Sequence, residues 1–166
     1  MAQFKLRPFA ESDLRSLVEH ANDPTIAAHL TDAFPHPYTE ADGIKFLEMA
    51  MAGPGLRRCI DIGGEVGGAI GVHPKPDLWR RNLEMGYWLA REHRGKGIMT
   101  EAIKQMIPIG FDAFPDVIRI YATPFGTNIA SQRALEKAGF ELEAKLRSTL
   151  VKNGVMQDEW IYAVRR

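Results

Sequence analysis

The feature that most constrains the fold of this chain is an abrupt change of pattern within residues 87–102, YWLAREHRGKGIMTEA. Strand-like apolar positions end before Gly95 and Gly97, which alternate with Arg94 and Lys96, and a helical pattern begins at once. A strand that enters a helix through glycines presents free backbone N–H groups at the positive end of the helix dipole, which suits phosphate oxygens. The pattern therefore predicts a local anion site, and a simple tight turn is the alternative.

Two other glycine-rich phosphate motifs do not match this junction. A dinucleotide-binding fingerprint that starts at Gly95 would require glycine at position 100, where the chain has Thr100. A P-loop would require Ser or Thr after Lys96, where the chain has Gly97. Several antiparallel-looking strands also precede the junction, whereas a Rossmann turn follows a first parallel strand. These differences disfavour a nicotinamide-dependent oxidoreductase.

Composition limits the classes of partner. A chain of 166 residues suits one domain, residues 1–166. Its 21 basic and 21 acidic residues cancel, so we expect no overall field that attracts nucleic acid or a membrane. Cys59 is the single cysteine, no apolar run could span a bilayer, and no signal peptide is recognisable, so we expect a cytoplasmic monomer or homodimer. The five histidines lack metal-ligand spacing, and we predict no metal.

The hydrophobic periodicity predicts alternating helices and strands in one mixed unit. Pro108 lies inside the helix that follows the glycines and is expected to kink or end it. Strands are predicted at residues 3–9, 57–64, 65–73, 82–90 and 116–124, with a final hairpin around Asn153 and Gly154. Helices are predicted at residues 11–23, from Asp23 and Pro24 to about Leu30, from near Thr39 to Gly53, over 97–114, and over 128–139 with Gly139 as the C-terminal cap.

Two segments together indicate a family. Residues 93–106, HRGKGIMTEAIKQM, are followed after a strand by residues 128–140, NIASQRALEKAGF, and this pair resembles the GNAT acetyltransferase superfamily. The likeness is close over residues 83–147 and loose over the whole chain. The opening LRPF, the strand EMGYWLA and the Asn-Gly hairpin resemble the Rim-type branch, which acetylates ribosomal-protein N-termini. The resemblance implies an α+β fold with a mostly antiparallel, splayed sheet of about six to seven strands flanked by helices.

The resemblance also implies how acetyl-CoA would bind. The family's pyrophosphate loop, Q/R-x-x-G-x-G/A, corresponds to residues 92–97, with Glu92 at the leading position. The pantetheine arm would lie where the preceding strand parts from its neighbour, and Gly86 fits a bulge that aims an N–H at the thioester carbonyl. The implied cofactor contacts are Trp88, Leu89, Ala90, Arg94, Gly95, Lys96, Gly97, Ile98, Met99, Asn128 and Arg133.

Acetyl transfer to an amine requires a proton acceptor and a leaving thiolate. Glu84 lies on the strand beside the splay and is the predicted base, acting directly or through water, with a solvated strand carboxylate as the alternative. Many family members place a tyrosine seven residues after the motif asparagine as the acid. That position holds Leu135 in this chain. Ser131, one turn after Asn128, is therefore the residue expected to meet the coenzyme A sulfur.

These residues favour an N-acetyltransferase that acts by direct attack in a ternary complex, with a protein N-terminal α-amine as the expected acceptor. A small-molecule amine, such as a polyamine, amino acid or aminoglycoside, and a non-catalytic acyl-CoA-binding module are the alternatives. By position in the family, Phe34, His36 and Tyr38 would line the acceptor pocket. Cys59 is expected to be a buried structural residue rather than an acyl carrier.

Overall fold

A seven-stranded sheet forms the centre of the computed structural model, which describes residues 3–166. The strands are β1 Lys5–Arg7, β2 Leu56–Ile62, β3 Glu65–Pro74, β4 Asn82–Leu89, β5 Arg119–Ala122, β6 Glu141–Lys152 and β7 Val155–Arg165. The helices are α1 Leu14–Ala21, α2 Pro24–Ala27, α3 Glu40–Ala52, α4 Ile98–Ala113 and α5 Ile129–Lys137. This mixed architecture confirms the predicted fold class.

The strand order is β1-β2-β3-β4-β5-β7-β6, and β4 and β5 are the parallel neighbours in an otherwise antiparallel sheet. Their pairing begins at Asn82 and Arg119 and stops at Glu84 and Tyr121. Within residues 3–166, β4 then continues over residues 85–89 without a β5 partner. The sheet is therefore splayed at this point, as predicted.

Helices cover both faces of the sheet because side chains alternate along each strand. On one face, Ile103 and Met106 of α4 pack against Ile70, Val72 and Leu83, and all of these side chains are almost completely buried. On the other face, a second core joins α1 and α3 to the sheet and includes Leu17, Leu47, Cys59 and Trp88. Alternate side chains of β4 therefore pack into two different hydrophobic cores, one on each face of the sheet.

The helix and turn signals of the sequence are mostly confirmed. The Asp23 carboxylate accepts the Thr25 N–H at 2.8 Å and caps α2, although this helix ends at Ala27, earlier than predicted. Gly139, with φ of +98°, follows α5 and supplies the left-handed C-terminal turn. The final hairpin turns at Asn153 and Gly154, whose φ values of +51° and +75° suit this tight connection.

Two local predictions differ from the structure. Of the two outcomes predicted for Pro108, a kink or an end of the helix, the end is wrong, because α4 runs on to Ala113. Met106 before the proline and Phe111 after it are both buried, and their packing offsets the lost backbone hydrogen bond. The prediction of a bulge at Gly86 is also wrong for the β3–β4 ladder, because the register continues unbroken through the Gly71–Gly86 pair.

No helix within residues 3–166 combines the length and the apolar character that crossing a membrane requires.

Candidate active site

The glycine-rich junction lies between β4 and α4. The Ala90 N–H donates to Gly67 O at 2.8 Å, a short turn follows at Arg91–His93, and α4 begins at Ile98. Gly95 and Gly97 have φ values of +73° and +78°, which disfavour residues with a Cβ. A Cβ built on either glycine would meet no other atom within 4 Å. Open space therefore lies in front of a helix start whose first N–H groups lack intrahelical acceptors.

The three cationic residues Arg91, Arg94 and Lys96 at the junction have different environments. Arg94 donates from Nε to Leu89 O at 3.0 Å and from Nη1 to Thr25 Oγ1 at 2.9 Å. Arg91 pairs with Asp23 at 3.1 Å and is the main cause that holds the pKa of this carboxyl well below its usual range. Lys96 is exposed, and no hydrogen bond or ion pair engages it within the described part of the chain. Arg94 thus holds the junction against α2, and Lys96 is the cation open to a ligand.

Glu92, at the leading position of the motif, faces histidines instead of the open space. Its Oε1 lies 3.3 Å from Nε2 of His20 and 4.0 Å from Nε2 of His93. Nδ1 of His20 is in turn 2.6 Å from Val66 O. Glu92 therefore connects the junction to α1 and β3.

Glu84 lies at the residue where β4 and β5 part. Its Oε2 accepts a hydrogen bond from Lys75 Nζ at 2.8 Å and from the Tyr121 hydroxyl at 3.2 Å, and 36% of its side chain is exposed. Directly across the ladder stands His73. Burial, together with the charge of Arg57, lowers the pKa of His73 to about 4, so its imidazole is neutral near pH 7. Glu84 is therefore a reachable carboxylate with a lysine and a phenol as its partners.

A cavity of about 380 Å³ extends from Glu84 along the sheet. Its floor is the backbone of the paired Gly71 and Gly86. The ring of Phe34 lies 6.1 Å from Trp88 and 5.0 Å from Tyr38, centroid to centroid, and the three rings form one wall. Of the three residues that the family resemblance assigns to the acceptor pocket, Phe34 and Tyr38 line this cavity, whereas His36 is exposed and does not.

A contact that the sequence does not predict joins β4 to α5. The Tyr87 hydroxyl lies 2.7 Å from Ser131 Oγ, and either group can be the donor. Burial raises the pKa of the Tyr87 phenol, which is therefore protonated at neutral pH. No local pattern predicts this contact, since 44 residues separate Ser131 from Tyr87. Only the packing of α5 brings a serine to it.

The other predicted residues of α5 have separate positions. Asn128 caps the helix, and its side-chain oxygen accepts the Ser131 N–H at 3.2 Å. Arg133 is exposed, whereas Leu135, at the position of the family's tyrosine, is completely buried. Trp88, Leu89 and Ala90 at the end of β4 are buried, which leaves their backbone as the part available to a ligand. Ile98 is buried and Met99 half-buried at the start of α4.

Cys59 is completely buried, and burial raises the pKa of its thiol to about 12, which suits a structural residue. No group of three or more His, Cys, Asp or Glu side chains within residues 3–166 is arranged to hold a metal ion.

Comparison with known proteins identifies the family of this chain. The sequence model of the acetyltransferase (GNAT) domain matches residues 3–141. The chain is 40% identical over 80 residues to "Probable N-acetyltransferase YjcK" of Bacillus subtilis (strain 168), covering 48% of this chain and 44% of the relative. It is 34% identical over 101 residues to "Putative ribosomal N-acetyltransferase YdaF" of the same organism, covering 61% and 54%. The chain thus spans about half the length of these curated relatives.

The fold has a counterpart among solved structures. The ribosomal L7/L12 alpha-N-protein acetyltransferase RimL, solved with coenzyme A, superimposes with a TM-score of 0.85. The two chains are 20% identical, and the match covers 99% of this chain and 95% of RimL. At this identity the likeness concerns the fold alone. Since the domain model covers most of the sequence, this chain belongs to the GNAT acetyltransferase family.

Proposed function

We propose that this protein is an acetyl-CoA-dependent N-acetyltransferase that transfers acetyl to a primary amine by direct attack in a ternary complex. One observation carries the proposal: the gap between β4 and β5 leads from the open glycine junction to Glu84. A pyrophosphate at Gly95 and Gly97 and an amine at Glu84 would lie at opposite ends of this gap. GNAT family membership supports acetyl-CoA as the donor.

The free edge of β4 provides the binding surface for the pantetheine arm. Residues 85–89 pair with β3 on one side and, in the described structure, with no strand on the other. Unpaired strand N–H and C=O groups require partners. The amides of a pantetheine arm can supply them and would place the thioester near Tyr87 and Ser131. The Lys96 ammonium would bind a phosphate of the cofactor. On α5, Asn128 would contact the pantetheine arm and Arg133 would contact a phosphate.

In the proposed reaction, Glu84, Ser131 and Tyr87 assist the attack of the amine and the departure of the thiolate. The amine nitrogen attacks the thioester carbon, and the C–S bond breaks as the new C–N bond forms. The surplus proton on nitrogen passes to Glu84, directly or through water. The departing thiolate accepts a hydrogen bond from the Ser131 hydroxyl, which in turn accepts one from Tyr87 at 2.7 Å, and the thiolate then takes its proton from water. A thiol pKa near 8.5 makes this assistance modest.

The expected acceptor is a protein N-terminal α-amine. An α-amine has a pKa near 8, so forming its neutral state at pH 7 costs about 1 kcal/mol, against about 4 to 5 kcal/mol for a lysine-type amine. A single half-exposed carboxylate such as Glu84 suits the smaller demand. The description of YdaF as a ribosomal N-acetyltransferase supports the same class of acceptor.

The proposal is tested by measuring binding and turnover together. Calorimetric titration is expected to show binding of acetyl-CoA and CoA, and thiol release measured with a chromogenic disulfide is expected with α-amines of short peptides. The same panel should include spermidine, free amino acids and an aminoglycoside. Cofactor binding without turnover on any amine would replace the enzyme by a binding module. Absence of binding heat for both forms of the cofactor would reject the proposal.

Removing the hydroxyl of Ser131 or Tyr87 is expected to slow turnover without loss of cofactor affinity. Ser131→Ala should lower kcat about tenfold, because the thiolate then leaves without a hydrogen-bond donor to stabilise its charge. Tyr87→Phe should lower kcat less, since Ser131 remains in place. Pre-steady-state thiol release measures both effects.

Tyr162→Phe is the control, because the buried Tyr162 hydroxyl also makes a single hydrogen bond, to Glu136 at 2.7 Å, and Tyr162 lies on β7 rather than on β4. It should lose at least as much stability as Tyr87→Phe, since its acceptor is a carboxylate, and retain wild-type kcat. Equal kcat values for the two tyrosine variants would remove Tyr87 from the mechanism.

A further inference from the structure

We propose that the acceptor is a peptide-like amine with an apolar group beside the reacting nitrogen and an anionic group that binds Arg57. This inference rests on the proposed function and specifies the substrate of the same site. Its basis is a row of residues across the sheet: Arg57 on β2 pairs with Gly71 on β3, which pairs with Gly86 on β4. Residues directly opposite in antiparallel strands share one face, so the row crosses the cavity floor.

The backbone conformation at Gly86 does not require glycine. It is not among the positive-φ residues, and its pairing with Gly71 is regular. Glycine inside a strand costs about 0.5 to 1 kcal/mol relative to alanine. A Cβ at Gly86 would meet no other atom within 4 Å, because it would project into the cavity. Such a bare position suits the close approach of a ligand.

Gly71 makes room for Arg57. A Cβ at Gly71 would lie 3.0 Å from Arg57 Cγ, so the arginine side chain extends over this glycine. Its guanidinium Nη1 donates to Met49 O at 3.3 Å and Pro54 O at 3.0 Å. No carboxylate within residues 3–166 forms an ion pair with Arg57. Burial lowers the pKa of this half-buried group, and an anionic ligand would supply the missing counter-charge.

The walls and the carboxylates of the cavity favour an acceptor with a single ammonium group and a neighbouring apolar group over a polycation. The rings of Phe34, Tyr38 and Trp88 form an apolar wall. Two carboxylates line the cavity, and both have partners: Asp42 accepts from the backbone and hydroxyl of Thr39, and Glu84 pairs with Lys75. A polyamine or an aminoglycoside would bring several ammonium groups to a cavity with no unpartnered carboxylate among its described lining residues.

The distance between β2 and β4 determines which residue of a peptide substrate would carry the anionic group. Neighbouring strands are about 4.8 Å apart, so β2 and β4 are separated by roughly 10 Å. An extended peptide advances about 3.3 Å per residue. With the reacting amine at the β4 edge near Glu84, the second residue would lie over Gly86 under the aromatic wall. An acidic third residue would then reach Arg57.

The test uses three peptides that share a small first residue and Phe as the second, and that carry Glu, Gln or Lys as the third. For the wild type, kcat/KM is expected to be about tenfold higher with Glu than with Gln, and lowest with Lys. Arg57→Gln should abolish the advantage of Glu over Gln, and Arg57→Glu should reverse the order in favour of Lys.

Gly86→Ala should lower kcat/KM for the Phe peptides more than tenfold at unchanged or higher Tm, and retained acetyl-CoA binding would locate the loss at the acceptor.

Arg58→Gln is the matched control, since Arg58 is the next residue of β2 and points to the opposite face, with a local bond to Arg57 O at 3.2 Å. It should keep the wild-type order of peptides. Equal rates on the three peptides with wild-type protein, or the same order in Arg57→Gln, would overturn the inference. Turnover on spermidine alone would overturn it and leave the acetyltransferase proposal standing, whereas absence of turnover on every amine would overturn both.

Discussion

Gly97→Ala is expected to weaken acetyl-CoA binding about 10- to 100-fold. The residue has a φ of +78° at the start of α4, and an added Cβ would occupy the open space where a phosphate would approach the backbone N–H groups. A hydrogen bond to a charged group contributes about 1.5 to 3 kcal/mol, and each 1.4 kcal/mol is a tenfold change in Kd. Isothermal titration with acetyl-CoA measures the effect.

The hairpin glycine Gly154 provides a control for backbone strain. Its φ is +75°, and a Cβ there would also meet nothing within 4 Å. Gly154→Ala and Gly97→Ala should therefore lose similar stability, about 1 to 2 kcal/mol each, in chemical denaturation. Only Gly97→Ala should lose affinity. Wild-type affinity in Gly97→Ala would place the pyrophosphate elsewhere.

Glu84→Gln is expected to lower kcat/KM about tenfold for an α-amine and about 100-fold for an alkyl amine, because general-base assistance matters more as the amine pKa rises. The rate of the variant should rise with pH through the pKa of the amine itself, near 8 for an α-amine, since solution equilibrium must then supply the neutral nucleophile. The wild-type rate should remain high at lower pH. Thiol-release rates from pH 6 to 9 compare the two profiles.

A carboxylate that does not line the cavity controls for the loss of an ion pair. Glu143 on β6 accepts hydrogen bonds from Arg119 at 2.5 Å and pairs with Arg165. Glu143→Gln should reduce stability at least as much as Glu84→Gln, which breaks one half-exposed pair worth about 1 kcal/mol or less. It should leave the pH profile unchanged. Identical profiles for wild type and Glu84→Gln would exclude Glu84 as the base.

Local signals allowed most of the fold to be predicted from the sequence. Alternation of apolar residues located the strands, and Asp23, Thr39 and Gly139 marked helix ends because their side chains or backbone satisfy terminal groups. The prediction for Pro108 was less accurate, since local chemistry argues against a continuous helix there. The burial of Met106 and Phe111, which favours continuation, depends on the whole core.

The candidate site divides in the same way. The sequence by itself determined the glycine junction, the strand that bears Glu84 and the membership of the family, because these depend on the order of neighbouring residues. Only the tertiary structure decided that Arg94 is bound to Leu89 O and Thr25, that Tyr87 meets Ser131, and that Arg57 lies in one row with Gly71 and Gly86. Apart from the Arg94–Leu89 bond, these contacts join residues far apart in the chain, and their geometry is set by strand register and helix packing, which no local pattern specifies.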